Sequence, residues 1–436
     1  MNNNRKNRNI LTHETQKNIV RGERLNNRDF IWKIITIIVL LEIILIAPVI
    51  SSFTNTAIIK STGQISANTI VAKSGSPADV QAAVNAIAAA GGGTVYVPAG
   101  DFAFDFPTPT PLSYGVIVYG GVNIIGAGVN NTILRMTRNP TNANPIMFYL
   151  DGSNGKPIRI SGIFFKGYVV DTEDWGLEGI EVDAVKDFRI DHCRFEDFSS
   201  RAVGVGAHSR GVIDHCDFDN PYKDNLSIPE RLWGYGIIVW GDYTWESDIN
   251  TILGRYDGLD EVTYIEDCTF RRCRHAIAAN AGAHYVARHN YFTEMIISYY
   301  GSYIDAHGGT PSAVGTRCVE IYDNIIEDSP TDSRSISDPS YWGRYLGLGI
   351  GIRGGGGVIF NNTIKYCRNG IRLYSDFAYE QTKPHDIWIW SNTFVNVDNP
   401  FDAWQNPIRI TENVDYFLYA KAGYTPYPYP HPLTLR

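Results

Sequence analysis

The sequence has little charge and little sulfur for its length. Only 19% of its 436 residues are charged, the net charge is −8, and cysteine occurs six times without a C-x-x-C pair. The acidic balance excludes a basic nucleic-acid-binding protein, and the sparse cysteines exclude a small disulfide-stabilised scaffold. Apolar residues (44%), aromatic residues (12%) and 41 glycines are what the chain has in quantity. This composition predicts a large folded core and little disorder.

Charge is divided unevenly along the chain. Residues 1–33 carry eight Lys/Arg and three Asp/Glu, a net charge of +5, and the remainder therefore carries −13. An apolar run over residues 30–53 is long enough to cross a bilayer, and a basic flank before it keeps the N-terminus in the cytoplasm. We therefore predict a cytoplasmic lead (1–29), one transmembrane or signal-anchor helix (30–53) and an extracellular body. A cleaved signal peptide, which would leave the body secreted, is the alternative.

A Ser/Thr-rich linker over residues 54–75 precedes a predicted capping helix. Ser76-Pro77-Ala78-Asp79 supplies an N-cap, a first-turn proline and a first-turn acid. Apolar residues then recur at helical spacing at Val80, Val84 and Ile87. Gly91-Gly92-Gly93 ends the helix.

One hexapeptide recurs along the rest of the chain: an apolar residue, two variable residues, Cys or Asn, one variable residue, then Phe or Ile. The fourth position is occupied in successive copies by Cys193, Cys216, Cys268, Asn290, Asn324, Asn362 and Asn392. The closest copies begin 22 and 23 residues apart, and no helical pattern separates them. Short strands at this period predict the coils of a parallel β-helix, whose stacked rungs bury one continuous core.

The fourth-position residues are expected to stack as a ladder at a turn. Asparagine amides there can hydrogen-bond the backbone of the neighbouring rung, while thiols fill the same slot as small apolar groups. Cys273 and Cys367 share a second repeated slot, so buried thiols are favoured over a disulfide or metal site. Cys318 is expected to face outward.

The capping helix, the segment Gly-Gly-Gly-Thr-Val-Tyr-Val-Pro-Ala-Gly (91–100), the segment Ile-Ile-Gly-Ala-Gly (124–128) and the hexapeptides together resemble the pectate-lyase-like superfamily. The resemblance covers residues 76–414 and implies an all-β, right-handed parallel β-helix with an N-terminal capping helix. Residues 415–436 form a Tyr/Pro-rich tail that we expect to lie over the final coils. The superfamily holds lyases, hydrolases, epimerases and non-enzymatic surface proteins, so it implies no single activity.

The sequence Ile-Asp-His-Cys resembles a segment of the pectate lyases and occurs twice, beginning at Ile190 and Ile213. It falls both times on the structural repeat, and the Arg-x-Pro-x-x-Arg element that carries the base of that family is absent. We therefore predict a structural role for both copies.

The strand after each ladder turn supplies a candidate site on its outward face. Ile277, Ile304, Ile350 and Ile371 are taken as inward-facing, and alternation then fixes which residues face outward. One outward column contains Trp240, Asn280, His307, Arg353 and Tyr374, and a second contains Asp305 and Arg372. The prediction depends on register, because a shift of one residue inverts every side chain. We predict Asp305, His307 and Arg353 as catalytic residues and Trp240, Asn280, Arg372 and Tyr374 as substrate-binding residues.

Asp305-Ala306-His307 is similar to the Asp-Pro-His element of alginate C5-epimerases, which are β-helices of the same broad type. In that family the acidic residue and the histidine lie in the catalytic centre beside a tyrosine and an arginine. Here Ala306 replaces the proline and Ser302 stands at the tyrosine position, with Tyr303 next to it.

These features favour an exported, anchored protein that acts on an extracellular uronic-acid polysaccharide by proton abstraction. His307 would be the base, Arg353 with Arg372 would neutralise the sugar carboxylate, and Asp305 would orient His307 or bind a hydroxyl. Return of the proton gives epimerization, and departure of the leaving oxygen gives β-elimination. No cofactor is certain; calcium is a candidate, because the acidic body repels a polyanion unless cations bridge them.

Two alternatives stay open. A glycoside hydrolase needs two carboxylates about 5 to 9.5 Å apart, for which Asp242, Glu246, Asp248 and Asp305 are candidates. A non-catalytic cell-surface β-helix would bind carbohydrate, or serve a structural role, without turnover.

The charge asymmetry generates a topology prediction. A cysteine introduced into residues 1–29 should resist a membrane-impermeant thiol reagent in intact cells, because the basic lead stays in the cytoplasm. The same cysteine should react once the cells are permeabilised. Labelling in intact cells would contradict the prediction.

Overall fold

The computed structural model describes residues 68–105, 114–137, 145–168, 177–221, 234–242, 249–256, 261–294, 302–310, 314–328, 347–375, 382–404 and 408–436. The predicted lead and transmembrane segment and most of the predicted linker lie outside these residues. Within them, no helix is long and apolar enough to span a membrane.

Helix α1 (Pro77–Ala89) forms where the sequence predicts it. The Ser76 hydroxyl accepts a hydrogen bond from the Asp79 backbone N–H at 3.3 Å, which satisfies one of the N–H groups left over at a helix start. The predicted apolar stripe is buried. After the helix, the Gly92 N–H donates to the Ile87 carbonyl at 2.9 Å with φ at +107°, a conformation that favours glycine.

Among the described residues, ten successive coils each contribute one strand to each of three sheets, and one further strand at either end extends sheet A. Sheet A contains β1 (Thr69–Val71), β2 (Gly93–Val97), β5 (Val122–Gly126), β8 (Arg159–Ser161), β11 (Lys186–Asp191), β14 (Arg210–Asp214), β17 (Val262–Glu266), β20 (His284–Arg288), β23 (Cys318–Tyr322), β26 (Gly355–Phe360), β29 (Pro384–Trp390) and β32 (Tyr416–Phe417). Sheet B contains β3 (Gly100–Ala103), β6 (Thr132–Arg135), β9 (Phe164–Lys166), β12 (Arg194–Glu196), β15 (Asp217–Asp219), β18 (Thr269–Arg271), β21 (Tyr291–Thr293), β24 (Ile325–Glu327), β27 (Thr363–Lys365) and β30 (Thr393–Val395). Sheet C contains β4 (Tyr114–Tyr119), β7 (Ile146–Asp151), β10 (Glu178–Asp183), β13 (Arg201–Val205), β16 (Tyr235–Trp240), β19 (Ile277–Asn280), β22 (Ser302–Ala306), β25 (Leu348–Ile352), β28 (Asn369–Leu373) and β31 (Asn399–Ala403).

Neighbouring strands pair in parallel throughout these sheets, so the predicted parallel β-helix is confirmed. Its ends differ slightly from the predicted boundaries. Strand β1 lies in the predicted linker, and β32 lies in the predicted tail. Both add a rung to sheet A, because their backbone groups continue its hydrogen-bonding pattern.

Like residues stack on one another inside the coil. The phenylalanines of sheet B form one such stack, with ring centroids 4.7 to 5.1 Å apart, through Phe165, Phe195, Phe218, Phe270 and Phe292. These rings are almost completely buried. The rung spacing of a parallel sheet, about 4.8 Å, therefore sets the stacking distance of the core.

The predicted asparagine ladder is confirmed. The Asn324 side-chain nitrogen donates to the Ala287 carbonyl at 2.8 Å and to the Asn362 side-chain oxygen at 2.9 Å, and Asn362 repeats the pattern with Asn392 at 2.9 Å. The same side-chain oxygens accept the backbone N–H of the neighbouring ladder residue. The amides thus satisfy buried polar groups from rung to rung.

All six cysteines are buried thiols. The ladder thiols of Cys193, Cys216 and Cys268 occupy the predicted slot and lie 3.3 Å from the carbonyl two residues earlier. Cys318 faces outward from sheet A as expected, because its neighbours Val319 and Ile321 are the residues of this strand that enter the inner core. Ile249 and Ile252 pack over it and leave it without exposed surface.

A left-handed residue precedes each ladder position and explains the recurring Asp-His-Cys sequence. These residues have φ between +50° and +55° and are His192, His215, Asp267, His289, Asp323, Asn361 and Ser391. Asn, Asp and His tolerate this conformation better than most residues. The left-handed turn therefore gives a structural explanation for the histidine in both copies of Ile-Asp-His-Cys.

The C-terminal tail lies over the final coils as expected, with Lys421 over Trp388 and Tyr424 beside Trp390, and it continues farther back. The Tyr424 hydroxyl donates to Glu320 at 2.5 Å, and the Tyr427 carbonyl accepts from Arg288 at 2.6 Å. The terminal Arg436 carbonyl accepts from Arg189 of β11 at 3.4 Å. The tail therefore runs from β32 back across the outer face of sheet A, because the buried charges there offer it hydrogen-bonding partners.

Replacing Asn324 or Asn362 by Leu should lower the free energy of unfolding by about 1 to 3 kcal/mol, because buried backbone groups lose their partners. Cys216→Leu should also destabilise, but through overpacking of a full slot. Chemical denaturation measures these changes. Asn392→Leu is the matched comparison at the half-buried end of the ladder and should have a smaller effect. Unchanged midpoints for both Asn324→Leu and Asn362→Leu would contradict the ladder.

Candidate functional site

The register predicted for sheet C is confirmed. Ile277 pairs with Ile304, Ile304 with Ile350, and Ile350 with Ile371. Trp240 pairs with Asn280, and the Arg353 N–H donates to the Ala306 carbonyl at 2.8 Å. The two predicted columns therefore run along the outer face of this sheet.

A cavity of about 150 Å³ lies on that face and brings together four of the seven predicted site residues, Trp240, Asn280, Asp305 and His307. The remaining lining residues are Ser200, Arg201, Tyr235, Ile238, Ala278 and Ala279. The cavity combines apolar and aromatic surface with an amide, an imidazole, a guanidinium, a hydroxyl and one buried carboxylate. Such a mixture of an apolar surface and few polar groups suits the recognition of a sugar ring.

Asp305 and Arg353 form a buried ion pair. The Arg353 guanidinium donates from Nε to one carboxylate oxygen at 3.0 Å and from Nη2 to the other at 2.6 Å. Burial alone would raise the pKa of Asp305, but the Arg353 charge outweighs it and holds that pKa below its ordinary value. Arg353, which we expected to neutralise a substrate carboxylate, is bound to Asp305, and its contact with substrate stays a prediction.

The hydrogen bonds of His307 fix its tautomer. Its Nδ1 lies 2.7 Å from the Gly308 carbonyl, which can only accept a hydrogen bond. Nδ1 therefore carries the proton, and Nε2 is the basic nitrogen of the neutral ring. The His307 backbone N–H donates to the Ala279 carbonyl at 3.0 Å, which holds the residue against the neighbouring rung.

Arg201 and Tyr235 line the cavity but were missed in the sequence. The Arg201 Nη2 lies 2.9 Å from Glu178 and 3.1 Å from Glu181. Burial raises the pKa of Glu178 to about 8 against the opposing effect of Arg201. Both missed residues immediately precede a small-apolar pair, Ala202-Val203 or Gly236-Ile237, and this repeated position is the signal that identifies them.

His275 occupies the same repeated position one rung later. Its ring stacks on Tyr235 with centroids 5.3 Å apart, and its Nδ1 lies 2.9 Å from the Ser302 carbonyl. Burial, assisted by the positive charges of Arg274 and Arg353, lowers its pKa to about 4. A neutral His275 therefore supports Tyr235 without adding charge to the cavity.

Arg372 and Tyr374 do not line the cavity. Arg372 belongs to β28, two rungs beyond Asp305, and lies 2.9 Å from the Asp402 carboxylate. Tyr374 is 5% exposed and packs beside Trp404. Their contact with substrate stays a prediction.

One cluster of possible metal ligands lies among the described residues, formed by His208, Asp242 and Glu261. The His208 Nδ1 lies 2.6 Å from Glu261, and Lys186 lies 3.8 Å from the same carboxylate. The Glu261 charge is thus already compensated by cationic or donor groups. Of the other carboxylates considered for hydrolysis, Glu246 and Asp248 lie outside the described residues.

No model of a known protein family matches the chain. Mannuronan C5-epimerase AlgE3 of Azotobacter vinelandii is 32% identical over 108 residues, which are 25% of this chain and 5% of that protein. The chain thus spans only a small part of this curated relative. The tailspike protein of Escherichia coli bacteriophage HK620, solved in complex with a pentasaccharide, matches 77% of this chain and 61% of its own with 13% identity and a TM-score of 0.53. The chain is a right-handed parallel β-helix. An alginate lyase from Paenibacillus sp. covers 77% of this β-helix and 97% of its own chain, with 14% identity and a TM-score of 0.49.

Replacing Arg353 by Met should lower the free energy of unfolding by about 3 to 5 kcal/mol at neutral pH, because Asp305 would be left buried and unpaired. In the native protein the lowered pKa of Asp305 contributes stability above the ordinary Asp value of about 3.9 and loses it as pH falls through the native pKa. In the variant, protonation relieves the unpaired charge. The difference in stability should therefore shrink as the pH is lowered, first through the raised pKa of Asp305 in the variant and then through its lowered pKa in the native protein.

Arg372→Met provides the matched control for this measurement. Its partner Asp402 is 34% exposed, so the loss should be only about 0 to 1 kcal/mol and sensitive to salt. Equal losses in the two variants, or a difference for Arg353→Met that does not change with pH, would contradict the buried pair.

Proposed function

We propose that the protein modifies a uronic-acid polysaccharide in the cavity on the outer face of sheet C. The observation that carries the proposal is the position of His307 in one cavity with Trp240 and Asn280, beside the Asp305–Arg353 pair. The partial similarity to a mannuronan C5-epimerase supports the same substrate class.

The proposed chemistry begins with proton abstraction from the carbon that bears the sugar carboxylate. His307 Nε2 takes the proton, since Nδ1 is already protonated and held by the Gly308 carbonyl. Return of a proton to the opposite face gives epimerization, and loss of the neighbouring glycosidic oxygen gives an unsaturated product. Trp240 offers an aromatic surface to the apolar face of a sugar ring.

Arg201 supplies the positive charge that this reaction needs within the cavity. Arg353 is bound to Asp305, and Arg201 likewise contacts Glu178 and Glu181, so both guanidinium groups have carboxylate partners. Arg201 lines the cavity, whereas Arg353 is not among its lining residues. A uronate carboxylate beside Arg201 would gain charge-assisted hydrogen bonds as negative charge develops. Asp305 with Arg353 then serves to position the strand end that carries His307.

We propose that the protein acts outside the cytoplasm and that its N-terminal apolar run anchors it in the membrane. The support for it is the +5 lead followed by the apolar residues 30–53. Calcium is proposed only as a bridging ion between an acidic protein and a polyanionic substrate.

His307→Ala should reduce turnover by about 100- to 10,000-fold, the contribution typical of a general base. Trp240→Ala should mainly weaken substrate binding. Alginate, pectate and glycosaminoglycans are tested separately: absorbance of the unsaturated product reports elimination, and solvent deuterium incorporation at C5 reports epimerization. His385→Ala, which changes a histidine of sheet A, is the control that should leave both signals unchanged.

Activity that survives His307→Ala would place the chemistry elsewhere on the coil. Absence of both signals on all three polymers, combined with binding that depends on Trp240, would identify a carbohydrate-binding protein without turnover.

A further inference from the structure

Two histidines stack on the outer edge of the coil, away from the cavity on sheet C. His192 follows β11 and His215 follows β14, and their rings lie parallel with centroids 5.0 Å apart. The two side chains are 59% and 50% exposed. They are neighbours because Asp191 and Asp214, the residues before them, pair across adjacent rungs.

Each of these imidazoles is held from beneath by a carboxylate. The His192 Nδ1 lies 2.9 Å from Asp191, and the His215 Nδ1 lies 3.0 Å from Asp214. Arg159 donates twice to Asp191, and Arg189 donates twice to Asp214, so both carboxylates are acceptors. Nδ1 is therefore the protonated nitrogen in both rings, and the two Nε2 atoms hold their lone pairs.

We propose that His192 and His215 bind one divalent transition-metal ion, of the class of Zn²⁺, Ni²⁺ or Cu²⁺, through their Nε2 atoms. A carboxylate on the opposite ring nitrogen is the usual support of a metal-binding histidine, because it fixes the tautomer and the ring orientation. The arrangement occurs here twice on adjacent rungs.

Binding of one ion requires both rings to reorient. Two metal–nitrogen bonds of about 2.0 to 2.1 Å require the Nε2 atoms to lie within roughly 4 Å of each other. The ring centroids are 5.0 Å apart and the ring planes are nearly parallel, so both rings must turn towards each other until their Nε2 lone pairs meet at one ion. Neighbouring side chains leave room for this, because Gly162 occupies the preceding rung at this position.

The class of ion follows from the ligands and the local charge. Arg159 and Arg189 already neutralise the two carboxylates, so electrostatic attraction for a cation is weak. Affinity must come from imidazole nitrogen, which suits Zn²⁺, Ni²⁺ and Cu²⁺. Calcium and magnesium prefer oxygen ligands and are not expected to bind here.

A third histidine, His289, occupies the same turn position on a later rung but has a different environment. His289 stacks under Tyr429 of the tail with centroids 3.7 Å apart, and its Nε2 lies 3.8 Å from Asp323. On the rung between, Asp267 accepts the Tyr429 hydroxyl at 2.7 Å. The proposed site is therefore confined to the two histidines that the tail leaves exposed.

Isothermal titration of the full chain with Zn²⁺ tests the proposal, and one saturable site is expected. His192→Asn and His215→Asn should each lower the affinity by roughly tenfold or more. Asparagine is chosen because Asn361 occupies the same turn position in this chain with φ at +54°, so the turn is preserved. The metal-free melting temperatures should stay unchanged, whereas Zn²⁺ should raise the melting temperature of the unmodified protein alone.

His208→Asn is the matched control, because His208 also has a positive φ and lies in the cluster with Asp242 and Glu261. It should leave Zn²⁺ binding unchanged. With Cu²⁺, the electron paramagnetic resonance spectrum should show coupling to two imidazole nitrogens that is lost in the double variant. No saturable binding, binding unaffected in the double variant, or binding lost only in His208→Asn would overturn the proposal.

Discussion

Backbone hydrogen bonding between successive coils is the constraint on which the other features depend. It fixes the register of all three sheets, and the register decides which side chains stack inside and which share an outer column. The phenylalanine stack and the asparagine ladder are consequences of that alignment inside the coil. The cavity with His307 and the stacked His192 and His215 are consequences outside it.

Charge on the outer face is compensated locally before any ligand is present. Asp305 is bound by Arg353, Arg201 lies between Glu178 and Glu181, and Arg372 lies beside Asp402. Single buried charges would be too costly, so ionised residues occur with partners from neighbouring rungs. Histidine side chains differ from these charged groups, since an imidazole can be neutral at physiological pH and then needs no ion-pair partner.

The repeat made the fold and the register predictable from sequence. The hexapeptide located the ladder and the inward isoleucines, and counting outward from Ile277 and Ile304 placed Asn280 and His307 in one column. The pairing of Arg353 with Asp305 was not predictable, because spacing in sequence does not show which of two charges on adjacent rungs satisfies the other. The coverage of Cys318 depended on an insertion, and insertions carry no repeat.

The tail changes how the coils depend on one another. In a simple stack each coil contacts only its neighbours, so unfolding can begin at an end and proceed one coil at a time. Here the last residues reach β11, and Arg288 and Glu266 become fully buried where the tail lies over them. The tail therefore lies over the coils between β11 and β32 together, and we expect these coils to unfold as one cooperative unit. The chain cannot be shortened coil by coil from its C-terminus without exposing charges far from the cut.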